Sequence, residues 1–339
     1  MKKLILFLLF SPFIFAQKIQ LVELSQSIKD KNKIAKSLTI IDYREDKAIG
    51  NVSHRKELME LKFEDENLSN LIQKWFSEDN KSVGSTDFII IIDELKAHDE
   101  QKEKSVIGKL KIKMATFVKR NDKYYFIKRV NNSYQYEPKN HAYIPKAIAS
   151  RISEEMSSLI KDSYSQPVTQ YVITENELPN YEKVILGKIK ALNSEILIDG
   201  VYTDYKSFFK QEINKDYSLK KNKDGKLTGV SNKNNYDTFS TDVFAIVDNG
   251  IAYRSTPLRL IEMQRDENGF FLMSSKEELY PQNTSTLTIT GAAMGGVIGG
   301  VIGAVIDSSA RKNNIKRAGL YRINIDSLTG DYIFSEKED

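Results

Sequence analysis

Residues 87–93, Asp-Phe-Ile-Ile-Ile-Ile-Asp, place five large apolar side chains in an unbroken run between two aspartates. A strand turns successive side chains to opposite faces, so a run that is apolar throughout needs cover on both. The run predicts a strand in the middle of a sheet, with protein packed above and below it. Downstream, Lys109-Leu110-Lys111-Ile112-Lys113-Met114 alternates strictly, which predicts a second strand with its lysines turned outward. Arg120-Asn121-Asp122-Lys123 then turns the chain back into Tyr124-Tyr125-Phe126-Ile127, forming a hairpin.

Upstream, Leu68, Leu71, Ile72, Trp75 and Phe76 recur at helical spacing. Glu64, Asp65 and Glu66 precede them, at the electropositive end of the helix. Two β-rich runs come earlier, Ser37 to Arg44 and Leu58 to Phe63. Ile144, Ile148, Ile152, Met156, Leu159 and Ile160 mark one stripe of a second helix, with Pro145 tolerated in its first turn. Over residues 36–165 this order predicts an α+β sandwich, with helices on one face of a mixed or antiparallel sheet.

Residues 163–180 carry Pro167 and Pro179 and are expected to link this domain to a β-rich one over 170–285. There, 196–202 reads as a strand, 205–209 as a short helix and 214–237 as an exposed polar loop or hairpin. Two hairpins are well marked: 243–247 with 251–254 around Asp248-Asn249-Gly250, and 260–263 with 270–273 around Asn268-Gly269. A third, within 318–336, turns at Gly330 and is expected to join the same antiparallel sheet. The fold class is therefore α+β: an α/β sandwich, then a β-rich antiparallel domain with an apolar helix inserted before its last hairpin.

That insert is residues 287–306. No charged residue occurs from Leu279 to Ile306, and a helix of 20 residues rises about 30 Å, the thickness of a hydrocarbon core. Gly291, Gly295, Gly299 and Gly303 repeat at four-residue spacing, and Gly296 and Gly300 lie on the neighbouring ridge with Ala292 and Ala304. Each glycine costs about 1 kcal/mol against alanine in a water-exposed helix. In lipid or in a packed interface, the same spacing lets two helices approach closely. Arg311, Lys312, Lys316 and Arg317 follow, and in a single span they would face the cytoplasm. A helix re-entering the membrane, or one packed on a partner, is the alternative if the last hairpin belongs to the sheet.

At the start, Lys2-Lys3, the apolar run Leu4 to Phe15 and the small residue Ala16 match an export signal over residues 1–16, so the mature protein is expected in the periplasm or cell envelope. The 339 residues include no cysteine, which excludes disulfides, thiolate metal sites and a lipid-modified cysteine anchor. A net charge of +4 on a chain with 28% charged residues is no nucleic-acid footprint. Asp93, Glu94, His98, Asp99 and Glu100 are the densest group of acid–base or cation-ligand types, but interleaved lysines and irregular spacing predict a solvated loop. Asp42 and Arg44 are expected to form a structural ion pair.

Asp42, Arg44, Ile49 and Gly50 lie in the opening Leu-Thr-Ile-Ile-Asp-Tyr-Arg-Glu-Asp-Lys-Ala-Ile-Gly (38–50), which resembles YajG-type lipoproteins and the auxiliary lipoproteins of envelope ABC transporters. That resemblance implies an α/β sandwich over about 120 residues, without the family's lipid-bearing cysteine. Residues 200–209 (GVYTDYKSFF) and 243–254 (VFAIVDNGIAYR), with the glycine-rich segment behind them, resemble a recurring type of secreted Bacteroidota protein, which implies export and brings no catalytic residue. The expected function is that of a non-enzymatic envelope protein, without cofactor or metal, that meets membrane lipid or its own copies through the glycine segment. The alternative is a soluble periplasmic binding or adaptor module with that helix packed inside.

Overall fold

The 87–93 run lies inside a 16-residue strand at the centre of a mixed sheet. The computed structural model describes residues 18–280, apart from 56, 82–83, 104, 234, 239–242 and 257–258, together with residues 319–334. Both the export signal and residues 287–306 lie outside the described residues.

The chain opens with β1 (Lys18–Val22), β2 (Ala35–Asp42), β3 (Gly50–His54), β4 (Glu57–Phe63), α1 (Leu68–Asp79) and β5 (Thr86–Gln101). A long meander follows, β6 (Val106–Arg120) and β7 (Lys123–Tyr136), and then α2 (Ile144–Ser165). Next comes β8 (Val172–Thr174), so part of the segment expected as a link instead pairs with β7 at the edge of the sheet. Among the described residues this sheet has eight strands in the order β1-β4-β3-β5-β6-β7-β8, with β2 also paired to β5. β2 and β3 both run parallel to β5, and they meet it at successive points along its length.

Local chemistry places the helices. Asn67 caps α1 by accepting from the Asn70 backbone N–H at 3.2 Å, and the acidic residues lie just outside the helix. Pro145 occupies the first turn of α2, where its missing N–H leaves no bond unmade. Gly50 has φ +123°, and a Cβ there would sit 2.0 Å from the Ala97 carbonyl oxygen. Only glycine lets β3 approach β5 this closely.

Both faces of the central strand are covered, as the run predicts. Phe88, Ile90 and Ile92 join Ile112, Met114, Trp75, Ile152 and Leu159 in a core beneath α1 and α2. Ile89 and Ile91 join Ala115, Phe117 and Phe126 in a second core on the opposite face. Full burial of an isoleucine or phenylalanine contributes about 1.5–3 kcal/mol, so this strand alone ties both cores together.

The second core is completed by the rest of the chain: a 3-10 turn (Glu175–Asn180), α3 (Tyr181–Leu186), α4 (Lys190–Asn193), β9 (Gly200–Tyr202) and α5 (Tyr205–Lys210). Next come β10 (Tyr217–Lys221), β11 (Leu227–Asn232) and β12 (Asn235–Thr238), a small antiparallel sheet where a polar loop or hairpin is expected. The three hairpins then appear as β13 (Ala245–Asp248) with β14 (Ile251–Ser255), β15 (Leu260–Asp266) with β16 (Gly269–Ser274), and β17 (Tyr321–Ile325) with β18 (Tyr332–Phe334). Short α6 (Lys276–Leu279) follows β16.

Among the described residues they form one seven-stranded sheet, β18-β17-β16-β15-β14-β13-β9, so the last hairpin does join the second sheet. Three strands separate β14 from β18, yet the Arg254 guanidinium lies 5.5 Å from the Tyr332 ring. The sheet therefore curls around α5, whose Phe208 and Phe209 pack on Phe244 and Phe270. The strand expected over 196–202 is reduced to Gly200–Tyr202, because β13 offers partners only to those three residues. Ile196 and Ile198 stay exposed.

Candidate functional site

Gly291, Gly295, Gly296, Gly299, Gly300 and Gly303 lie outside the described residues, but the frame that holds their segment does not. Met273 pairs with Arg322 and Ser274 with Tyr321, so the chain leaves the second sheet and returns to it at one place. The single-span expectation, with the basic residues Arg311, Lys312, Lys316 and Arg317 behind it, falls on residues outside those described. Among the described residues, no helix is long and apolar enough to cross a membrane.

The exit point is rigidly built. Glu278 on α6 is buried, pairs with Arg259 and accepts from the Ser274 hydroxyl at 2.7 Å, while Ser275 caps the helix. Around it, Tyr280 stands 5.9 Å from the Tyr332 ring and 6.0 Å from that of Phe334. Lys276 lies 5.9 Å above Phe334, and Arg322 lies 3.8 Å above Phe271. Arg254 sits 4.2 Å from the Phe244 ring and donates to the Ser255 carbonyl at 2.7 Å. Met273 and Leu320 present exposed apolar side chains beside this collar, 41% and 54% accessible. Aromatic rings mixed with cations and exposed aliphatics suit a boundary between water and an apolar phase.

The acidic cluster is not a loop. β5 continues through it to Gln101, paired with β6 from Asp87 onward except at Asp93, because the outward lysines of β6 meet the carboxylates of β5. Glu94 pairs with Lys111 at 2.9 Å, and Glu100 pairs with Lys109 and with Lys102. Asp99 accepts from the Ser53 backbone N–H at 3.0 Å, and His98 is exposed. Asp93 sits at a bulge and accepts from the Tyr181 hydroxyl at 2.8 Å; burial raises its pKa above the ordinary carboxylate value. Asp93, Glu94, Asp99 and Glu100 each turn to a different neighbour, and His98 stands exposed. No group of three or more potential ligands converges among the described residues.

Asp42 and Arg44 do form the expected structural pair. Arg44 donates through Nε at 3.0 Å and Nη2 at 2.7 Å to the two carboxylate oxygens, and through Nη1 to the Leu95 carbonyl.

A feature missed in the sequence lies where the two sheets meet. Arg129 on β7 is buried and makes a two-pronged contact with Asp326 in the β17–β18 turn, both bonds at 2.7 Å. Its Nη1 also lies 2.7 Å from Glu182 on α3, which Lys113 of β6 approaches as well. A charged residue at an inward position of an alternating strand was the only available signal, and it names no partner.

This network has a pH consequence. Burial pushes the Glu182 carboxyl up, but Arg129 and Lys113 outweigh it, so its pKa falls below the ordinary value of 4.5. The stabilisation is present above the unfolded pKa and is lost as pH falls through the lower folded value. Stability should decline in acid below about pH 4.5, and Glu182→Gln should make that decline shallower. Urea midpoints between pH 3 and 6 measure it; parallel curves for the two proteins would count against the assignment.

No family model matches this chain, and no curated protein matches it. Among solved structures, the chain is similar to a minor lipoprotein from Acinetobacter baumannii, at 11% identity and a TM-score of 0.24, with 41% of this chain and 98% of that one covered. That likeness is below the level that defines a shared fold.

Proposed function

We propose that this chain is a non-enzymatic protein of the cell envelope that associates with a membrane, or with copies of itself, through residues 287–306. The observation that carries this reading is the Ser274–Tyr321 pair. It joins the two strand ends that flank residues 275–320, within which lies the uncharged, glycine-spaced stretch 287–306, at a point rimmed by aromatic and basic side chains. Entry and exit on one side favour a re-entrant insertion or a helical contact between copies. The ridge of Gly291, Gly295, Gly299 and Gly303, with Gly296 and Gly300 beside it, supplies the small surface such a contact needs. The absence of a catalytic role is part of the proposal, supported by the engagement of Asp93, Glu94, Asp99 and Glu100 in separate strand contacts.

Carbonate extraction of envelopes tests the reading. The wild-type protein should stay in the pellet or elute as an oligomer after mild detergent, and Gly295→Leu combined with Gly299→Leu should shift it to the supernatant or to monomer size. Unchanged fractionation and unchanged size in the variant would contradict it.

A second reading, a soluble periplasmic binding module, is favoured by an apolar cavity at the meeting of the two sheets.

A further inference from the structure

That cavity has a volume of about 440 Å³, within the span of small-molecule sites, roughly 300–1,000 Å³. Five separate parts of the chain build it: Phe126 of β7, the segment after α2 with Tyr171, Ile185 of α3 with Ile189 just beyond it, Phe209 of α5, and the β17–β18 turn. Leu328 lies in that turn, which also carries Asp326. The Arg129–Asp326 pair therefore holds one wall of the cavity against another.

Its polar groups are Thr169, Gln170, Lys206, Lys210 and Ser327 with the hydroxyls of Tyr125, Tyr171 and Tyr205, and they are incompletely used. The Thr169 hydroxyl is buried without a hydrogen-bond partner, although its backbone N–H donates to the Phe126 carbonyl at 2.8 Å. Lys206 and Lys210 both line the cavity and stand one helical turn apart on α5, so they project from the same side of that helix. Among the described residues neither forms an ion pair; the Lys206 ammonium lies 5.7 Å from the Tyr205 ring. Glu212 is close enough to Tyr171 to act with burial in raising that phenol's pKa, so one carboxylate borders the site.

An apolar interior explains a hydrocarbon body, and two unpaired ammonium groups explain an anionic head; a neutral lipid or a bare anion would leave one half of the lining without purpose. We propose that this cavity is a binding site for one single-chain, long-chain carboxylate. Its body lies among Phe126, Ile185, Ile189, Phe209 and Leu328, with its carboxylate at Lys206 and Lys210. The site is independent of residues 287–306, so it stands or falls separately from membrane association.

Calorimetric titration of the full mature protein with laurate, dodecanol and acetate tests the proposal. Laurate should bind once per chain, dodecanol at least ten-fold more weakly and acetate not at all. Lys206→Glu with Lys210→Glu should weaken laurate at least ten-fold, and Gln170→Trp, which adds bulk at an exposed lining position, should abolish it; circular dichroism checks that both variants stay folded. Unsaturable laurate uptake, equal affinity for dodecanol, or laurate binding unchanged in both variants would overturn the assignment.

Discussion

An Asp326→Ala protein should lose about 3–5 kcal/mol of stability, because the substitution leaves the Arg129 guanidinium buried beside a hole. Arg129 and Asp326 are 5% and 4% exposed, and 197 residues separate them in the chain. Burial works against the charged arginine, and Asp326 with Glu182 more than offsets it, so the guanidinium is held firmly protonated. Asp326 also accepts from the Leu328 backbone N–H at 2.8 Å and so shapes the turn. Replacing both members of the pair, Arg129→Met with Asp326→Leu, should recover much of the loss, since apolar packing often substitutes for a buried ion pair. The turn contact is not restored, so recovery should be partial. Denaturant unfolding of the single and double variants measures both effects; a cost under about 1 kcal/mol for Asp326→Ala would show that water reaches the pair.

Phe117→Ala should cost a similar amount, about 3–5 kcal/mol, from lost transfer energy and the cavity left behind. Phe117 is fully buried, with its ring 5.0 Å from Tyr181 and 5.6 Å from Phe126, edge-on to both. The diagnostic result is where the change is felt. The single tryptophan, Trp75, lies in the core under α1 and α2, on the opposite face of the sheet from Phe117. Because β5 and β6 contribute to both cores, the Trp75 fluorescence transition should move with the loss and coincide with that seen by far-UV circular dichroism. A Trp75 transition that stayed in place would mean that the two cores unfold independently.

The legible parts of this fold were those with local causes. The 87–93 run announced a strand covered on both faces, the spacing of Leu68 to Phe76 and of Ile144 to Ile160 announced two helices, and the Asn-Gly pairs placed the hairpins. β1 was not legible, because a five-residue edge strand takes its identity from pairing with β4. The extension of β5 through Asp93 to Gln101 was hidden for a related reason: its polar residues look like a loop until the facing lysines of β6 are known. Sharing of the second core, the Arg129–Asp326 pair and the cavity near Lys206 all join residues far apart in the chain, and no periodicity within one segment carries that information.

Replacement of residues 281–318 by about eight glycine and serine residues tests the central claim most directly, since a short flexible link can rejoin two strand ends that already lie side by side. The account predicts a shortened protein that folds with near wild-type stability and is released completely from carbonate-washed envelopes. A shortened protein that stays in the membrane pellet, or one that cannot fold without the segment, would contradict it.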